Sequence, residues 1–342
     1  MLTQDPYRVL HDGAGLIRRL DRGRLALKGA DRADYLQGLL TNDVLGLEVG
    51  RGCYAAYLTP QGRILADCEV FNVGERLLLD VHLDVAPMLL ERFRELVFTE
   101  DVEIEDWTQS WTGFGVSGPL AERCVKTALD GLGADGSMPS TLAEHECRVE
   151  SISGASLVLG RTDPFGGRGL DLWVEQAAAA DLRQALLNAG CVEVDSANVE
   201  VVRIESGRPA FPNDMGGDTI PLEAGIEDRA ISSTKGCYVG QEVIVRVLHR
   251  GQGRVARRLT GLTIPELVSP SPCPDPGATL WNGDESSGRL TSIAFSPGAG
   301  GIIALGYVAR DLQEPGTSLE VEVEGKRVSA VVTALPFGGV SR

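Results

Sequence analysis

Short apolar runs separated by Gly, Pro and Ser fill the chain beyond Leu259, as in SPSPCPDPG and SPGAGG. No helix longer than a turn is expected there, so this part is predicted to form a small all-β barrel or sandwich. Strand-like and helix-like segments alternate in the preceding part, and the strand-like runs 53–58 and 64–71 are joined by TPQG, which suits a tight hairpin. Mixed order with hairpins favours an α+β fold, with helices on one face of antiparallel sheets.

Length and composition restrict the class of protein. A chain of 342 residues exceeds one ordinary core, which predicts two or three packed units. With 43% apolar residues, 23% charged residues and no long apolar run, we expect a globular protein that does not enter a membrane. The N-terminal stretch MLTQDPYRVLHDG lacks the pattern of a secretory signal, so a cytoplasmic location is expected.

The cysteines and histidines predict neither a disulfide framework nor a metal site. The seven cysteines include no CxxC pair, which argues against a zinc knuckle. The one compact cluster, His145-Glu146-Cys147, is interpreted as a solvated strand end and not as a metal site. No metal is therefore predicted.

The charge of the chain is strongly negative but unevenly distributed. A formal net charge of -16 repels polyphosphates, so nucleic-acid binding is not expected. Residues 243–265 nevertheless contain no Asp or Glu and carry five arginines, which include Arg246 and Arg250. These arginines either pair with acidic neighbours elsewhere in an ordinary segment or form a pocket for a small polyanion, because guanidinium groups bind carboxylates bidentately.

Cys237 is the first candidate for chemistry, within KGCYVGQEVIVR. Lys235 precedes it by two residues, Gly236 and Gly240 leave its approach free of side chains, and a helix is predicted to begin near Val239. A nearby cation and a helix N-terminus favour the thiolate. The competing interpretation is a buried structural cysteine. The helix itself competes with a strand, because VIVRV is β-branched.

Glu205, in RIESGRPAFPND, is the second candidate. It is predicted to lie in the last turn of a helix that ends before Gly207, where a negative side chain opposes the helix dipole by about 0.3–1 kcal/mol. A carboxylate there could accept two parallel N–H bonds from an aminopyrimidine-like edge. The alternative is a local salt bridge to Arg203 or Arg208.

These segments resemble a known family. KGCYVGQEVIVR is similar to the signature of the YgfZ type of folate-binding protein, relatives of which assist iron–sulfur cluster assembly or repair. YLQGLLTNDV and YAAYLTPQGRILAD resemble the first helix and hairpin of that family, and RIESGRPAFPND with PLEAGI resembles a segment shared with the aminomethyltransferase of the glycine cleavage system.

The wider superfamily implies a three-domain cloverleaf around a central tetrahydrofolate site, with ferredoxin-like α+β units and a C-terminal antiparallel β-barrel. Applied to this chain, it implies a discontinuous folate-binding domain over 1–50 plus 145–255, a ferredoxin-like domain over 51–144 and a barrel over 256–342. It also implies a monomer, and it matches Glu205 to the glutamate that holds the pterin ring.

One departure from the aminomethyltransferase pattern bears on catalysis. That pattern reads GGxxDDL, with its first Asp expected beside the reactive folate nitrogens, whereas this chain has GRILADC. Ala66 then stands at the position of the first Asp, and Asp67 matches only the second. Since alanine cannot hold a proton, ordinary aminomethyl transfer is not expected.

The main functional hypothesis is therefore a tetrahydrofolate-binding accessory protein for iron–sulfur enzymes, with those enzymes as client partners. In this hypothesis, tetrahydrofolate or a folate derivative binds at Glu205, as the resemblance implies, and its glutamate tail reaches Arg246 or Arg250. Cys237 would act as a thiolate, and Lys235 would tune the pKa of that thiol. The remaining predicted site residues are Asp67, Gly236, Tyr238, Gly240 and Gln241. The alternatives are a tetrahydrofolate-dependent aminomethyltransferase or related one-carbon transferase, in which Asp67 replaces the missing acid, and a scaffold without ligand.

Overall fold

The computed structural model describes residues 5–134, 142–162 and 169–338. None of the helices in these ranges is long and apolar enough to cross a membrane. The helices are α1 (Pro6–Asp12), α2 (Arg32–Gln37), α3 (Ala86–Glu95), α4 (Ala121–Gly131), α5 (Ala179–Asn188), α6 (Ser196–Glu205), α7 (Pro221–Ala224), α8 (Glu227–Ala230) and α9 (Gln241–His249).

Within the described residues, the strands form two open sheets and one closed barrel. The strands of the two open sheets are β1 (Gly15–Arg18), β2 (Arg22–Lys28), β3 (Gly52–Leu58), β4 (Ile64–Asn72), β5 (Arg76–His82), β6 (Glu103–Asp106), β7 (Trp111–Ser117), β8 (Cys147–Ile152), β9 (Ala155–Gly160), β10 (Gly169–Glu175) and β11 (Val192–Glu193). The strands of the barrel are β12 (Arg257–Ile264), β13 (Thr279–Asn282), β14 (Glu285–Ser296), β15 (Gly301–Ala309), β16 (Ser318–Val323) and β17 (Lys326–Thr333).

The chain divides into two compact units. The first comprises the residues up to Leu58, Leu65–Ser196 and Arg229–Val239, and the second comprises Thr59–Ile64, Ala197–Asp228 and the residues from Gly240 onward. The first unit holds a five-stranded sheet in the order β3-β4-β5-β2-β6 and a six-stranded sheet in the order β11-β1-β7-β10-β9-β8.

Each sheet of the first unit carries its helices on one face. Helices α2 and α3 pack on the five-stranded sheet through Leu36, Leu89 and Phe93, and α4 and α5 pack on the six-stranded sheet. The other faces of the two sheets pack together through residues such as Phe71 and Trp173. Because both faces of the central strands are covered, those strands are buried almost throughout and do not show the alternation of a half-exposed strand.

The second unit is built on the barrel, whose strands follow the order β12-β15-β14-β13-β16-β17. Its interior is lined by Leu, Ile and Val side chains from all of these strands. Helix α6 packs on the barrel through Ile204, which joins a buried cluster with Leu305 and Tyr307. This contact places the next residue, Glu205, against the barrel as well.

The predicted fold class is confirmed: the elements are mixed α and β, the helices lie on single faces of largely antiparallel sheets, and the C-terminal part is a closed antiparallel barrel. The hairpin between β3 and β4 turns at Gly62, whose positive φ of 74° requires glycine. The boundaries of the three predicted domains stay a prediction.

Candidate functional site

Strand β4 presents two different faces to its surroundings. Ala66 is 1% exposed and lies in the apolar cluster formed with α2 and α3. Asp67 is also buried, but its side chain lies on the opposite face and bonds polar groups. An acid at position 66 would therefore point into an apolar core, and Asp67 is the residue of this pair that is available for proton chemistry. The absence of an acid at position 66 is thus not an argument against catalysis.

The carboxylate of Asp67 is held by one of its two oxygens. The Tyr54 hydroxyl donates to Asp67 Oδ2 at 2.9 Å. Asp67 Oδ1 is buried and accepts no hydrogen bond from any residue that the structure describes, and Arg22 Nη1 lies 3.9 Å from it. Burial raises the pKa of Asp67, while the charge of Arg22 and the hydrogen bond from Tyr54 act against burial. A buried carboxyl with one fixed and one unbonded oxygen is suited to holding a proton.

Other charged residues of the first unit contact Glu69 of β4 and Tyr54 of β3. Glu69, two residues further along β4, lies with Oε2 3.2 Å from His145 Nδ1. Burial lowers the pKa of His145, but the hydrogen bond and charge of Glu69 outweigh burial and raise it overall. Arg229 lies with its guanidinium carbon 4.9 Å from the centre of the Tyr54 ring and pairs with Glu144 at 4.0 Å. Asp67 and Glu69 thus make this face of β4 charged.

Lys235 is bound by backbone oxygens at the end of α2. Its Nζ donates to the carbonyls of Gln37, Leu40 and Asn42 at 2.6, 2.5 and 2.9 Å. Burial lowers the pKa of Lys235 to about 8, and the charge of Asp43 acts against it. All three ammonium hydrogens therefore have acceptors. The three bonds join stretches of the chain that are nearly 200 residues apart in sequence.

Two neighbouring side chains add to the same junction. The Thr41 hydroxyl donates to the carbonyl of Ala230 and accepts from the backbone N–H of Ala56. The amide nitrogen of Asn42 donates to the carbonyls of Tyr54 at 2.8 Å and Arg229 at 2.9 Å. In the stretch YLQGLLTNDV, Thr41 and Asn42 therefore bind both β3 and the segment that precedes Cys237.

The predicted reactive cysteine lies in a short loop. Cys237 is exposed and is a free thiol, so the interpretation as a buried structural cysteine is wrong. A Cβ at Gly236 would meet open space. Tyr238 is buried, and burial raises its pKa to about 12, so it packs in the core. Gly240 caps α9 with a positive φ of 84°, and Gln241 is the first residue of that helix, so the helical interpretation of VIVRV is confirmed.

Glu205 is the last residue of α6 and is 1% exposed. The Ser296 hydroxyl donates to its Oε1, and its backbone carbonyl accepts from the N–H of Phe337 at 2.9 Å. Of the two alternative salt-bridge partners, Arg203 and Arg208, Arg203 does not bind Glu205, because all five of its N–H groups are used elsewhere. They donate to both oxygens of Glu200, to Asp214, to Ser292 and to the carbonyl of Arg208.

The five arginines of the segment that lacks acidic residues fall into two groups. Arg257 lies 3.6 Å from Glu223 and 3.4 Å from Asp218, and Arg258 donates to Glu227 at 2.7 Å, as the interpretation with acidic neighbours predicts. The other three, Arg246, Arg250 and Arg254, are exposed. Arg246 lies on α9 and Arg250 is its C-terminal cap. For these three arginines, a pocket for a small polyanion stays a prediction.

The predicted site residues are thus distributed over both units. The first unit holds Asp67, Lys235, Gly236, Cys237 and Tyr238, and the second holds Glu205, Gly240, Gln241, Arg246 and Arg250. Sequence reasoning missed Asn42, Tyr54 and Arg229. Asn42 and Tyr54 stood in motifs that had been noted, but nothing in those motifs connects them to Asp67.

The chain is similar to known aminomethyltransferases in sequence. Residues 3–235 match the family described as the GCVT N-terminal domain, and residues 257–338 match the glycine cleavage T-protein C-terminal barrel domain. An aminomethyltransferase of Rubrobacter xylanophilus is 29% identical over 97% of this chain and 85% of its own length. A putative chloroplastic transferase of Arabidopsis thaliana is 28% identical over 92% of this chain and 69% of its own length.

A solved structure shares the fold. The glycine cleavage system aminomethyltransferase T of Bartonella henselae superposes with a TM-score of 0.85 over 98% of this chain and 89% of its own length, at 22% identity.

Proposed function

Because the chain belongs to the glycine cleavage T-protein family, we propose that it is a tetrahydrofolate-dependent one-carbon transferase of the aminomethyltransferase kind. The observation that carries this proposal is the buried Asp67, whose Oδ1 accepts no hydrogen bond from the described residues while Tyr54 holds Oδ2. From the sequence, the accessory protein for iron–sulfur enzymes was the main hypothesis and the transferase the alternative. We now place the transferase first, because Ala66 lies in the apolar core and an acid at that position would not reach a substrate.

The side chains suit a reduced folate. Glu205 offers a buried carboxylate, fixed by Ser296, that can accept a pair of N–H bonds from the aminopyrimidine edge of a pterin. Tetrahydrofolate supplies a reduced ring nitrogen that takes up the one-carbon unit. The exposed guanidinium groups of Arg246 and Arg250 can pair with the carboxylates of the glutamate tail.

Asp67 has the chemical role in this proposal. Its burial favours the protonated carboxyl more than water does, so it can hold a proton at Oδ1 during the transfer and release it afterwards. Arg22, 3.9 Å away, limits this effect and keeps the carboxylate form accessible. Tyr54 keeps the carboxyl group from rotating, so that the proton stays at one atom.

Calorimetric titration with tetrahydrofolate and an assay of transfer from an aminomethyl donor test the proposal. We expect saturable binding that is lost in Glu205→Gln and kept in the control Glu322→Gln, which changes an exposed residue of β16. We expect Asp67→Asn to bind tetrahydrofolate but to transfer about 10²–10⁴-fold more slowly. Absence of binding by the unaltered protein, or full transfer activity in Asp67→Asn, would contradict the proposal.

A second candidate function rests on Cys237. Its free, exposed thiol lies in the stretch that resembles the YgfZ signature, which supports a role in maintaining iron–sulfur enzymes. In cells that lack the protein, we expect the unaltered chain to restore the activity of iron–sulfur enzymes and Cys237→Ala not to restore it. Cys273→Ala, which removes the other exposed cysteine, is the matched control. Full restoration by Cys237→Ala would remove the thiol from this function.

A further inference from the structure

Tyr54 contacts the Asp67 carboxyl, and two residues from other parts of the first unit contact Tyr54 in turn. The Tyr54 hydroxyl donates to Oδ2 at 2.9 Å. The ring of Tyr54 is 4.9 Å from the guanidinium carbon of Arg229, within the range of a cation–π contact. The amide of Asn42 donates to the backbone carbonyls of Tyr54 and Arg229, at 2.8 and 2.9 Å, and so ties the two main chains together.

We propose that Tyr54 is a positioning residue for Asp67, and that Asn42 and Arg229 hold Tyr54 in place. This assignment deepens the proposed function, since the reaction gives Asp67 its task. The Tyr54 hydroxyl selects which carboxyl oxygen is fixed, and Oδ1 is left as the atom that exchanges the proton. Arg229 covers the face of the Tyr54 ring, and the single Asn42 side chain keeps strand β3 and the Arg229 backbone in register.

Tyr54 and Asn42 are each held in one orientation by their hydrogen bonds. Tyr54 is 5% exposed, so its hydrogen bond to Asp67 does not compete with bulk water. Asn42 uses both amide hydrogens on carbonyls, and its own Oδ1 accepts from the N–H of Asp43, so its rotation is fixed. A smaller or apolar side chain at position 42 would release both carbonyls together.

A titration of Asp67 detects this role without any substrate. The charged groups around Asp67 are Arg22 on β2, Glu69 on β4 and Asp80 on β5, and Tyr54 on β3 supplies the hydrogen bond. Because that bond favours the carboxylate, its loss raises the affinity of Asp67 for a proton. The midpoint of the titration moves to higher pH when Tyr54 is replaced by Phe, by roughly tenfold in proton affinity for one hydrogen bond to a charged group.

The experiment is carbon NMR of the full chain with labelled Asp carboxyl groups, in which Asp67→Asn identifies the Asp67 signal. We expect Tyr54→Phe to shift the midpoint upward and Tyr57→Phe to leave it unchanged, since Tyr57 lies in the α3-facing core against Phe93. Asn42→Ala should shift it in the same direction by a smaller factor. A midpoint that Tyr54→Phe leaves unchanged would overturn the proposal, and one that moves in Tyr54→Phe alone would remove Asn42 from it.

Failure of this proposal is distinguishable from failure of the proposed function. Tetrahydrofolate titrations of the same variants report ligand binding, whereas the NMR midpoint reports only the environment of Asp67. If Tyr54→Phe does not fold, Asn42→Ala and Arg229→Gln take its place. A midpoint unchanged in both of these variants would then overturn the roles of Asn42 and Arg229, and with them the positioning of Tyr54.

Discussion

Replacing Lys235 by Met tests whether this residue stabilises the fold or tunes the thiol of Cys237. The substitution keeps the length of the side chain but removes the ammonium group from the carbonyls of Gln37, Leu40 and Asn42. Hydrogen bonds that involve a charged group contribute about 1.5–3 kcal/mol each when measured singly. Three bonds to one atom are not additive, the released carbonyls are partly rehydrated, and the cost of burying the ammonium disappears. We therefore expect the free energy of unfolding to fall by about 2–4 kcal/mol.

Denaturant unfolding followed by tryptophan fluorescence measures this loss. Three of the four tryptophans, Trp107, Trp111 and Trp173, belong to the first unit, so their emission reports its unfolding. Lys126→Met is the control, because among the described residues Lys126 pairs only with Asp130, in an exposed contact on α4, and pairs of that kind contribute about 0.3–0.5 kcal/mol. The structural role of Lys235 would be refuted if Lys235→Met unfolded like the unaltered protein. Slower alkylation of Cys237 at neutral pH in such a variant would assign Lys235 to the thiol instead.

Three further predictions concern Arg203, Gly207 and the pH dependence of stability. Arg203→Leu leaves Asp214 buried without its cation and should lower the free energy of unfolding of the second unit by about 3–5 kcal/mol, measured by calorimetry. Gly207→Ala should lower it by about 1–2 kcal/mol, because φ at position 207 is +73° and the new Cβ would lie 2.9 Å from the Leu335 side chain; a loss no larger than that of Gly338→Ala, which meets open space, would contradict this. Because the folded pKa of Lys235, about 8, lies below its unfolded value near 10.4, the folded protein binds fewer protons between these values. Lys235 should thus contribute more to the free energy of unfolding as the pH rises above about 8 and a constant amount below it, so the loss caused by Lys235→Met should grow with pH above about 8.

Local patterns were sufficient to predict several elements. A helix was predicted to begin near Val239, and α9 begins two residues later, at Gln241, after the Gly240 cap. The hairpin at TPQG and the end of α6 at Glu205 also follow from turn and capping residues near in sequence. These features depend on neighbours within a few residues, and such neighbours are visible in the sequence.

The roles of Ala66 and Asp67 depended on information that the strand pattern lacks. Alternation along β4 places the two side chains on opposite faces, but both faces are buried, so the pattern of apolar residues does not mark the core side. The contacts of Asp67 with Tyr54 and Arg22 come from β3 and β2, and those of Lys235 come from residues nearly 200 positions away. Long-range pairings of this kind are set by the packing of whole sheets, and no local spacing specifies them.

The residues of the signature KGCYVGQE have different roles, some structural and one chemical. This difference decides which function the resemblance supports. Lys235 bonds three carbonyls, Tyr238 is buried in the core and Gly240 supplies the left-handed backbone that begins α9. A chain needs these three residues to build this junction whatever reaction it supports. Cys237 is exposed and carries a free thiol, so it is the residue of the signature to which we assign the second candidate function. The transfer reaction proposed for Asp67 does not use it, and comparing Asp67→Asn with Cys237→Ala in the same cells therefore separates the two functions. If transfer is the physiological activity, the first variant loses the phenotype and the second keeps it, and the opposite result assigns the protein to iron–sulfur maintenance.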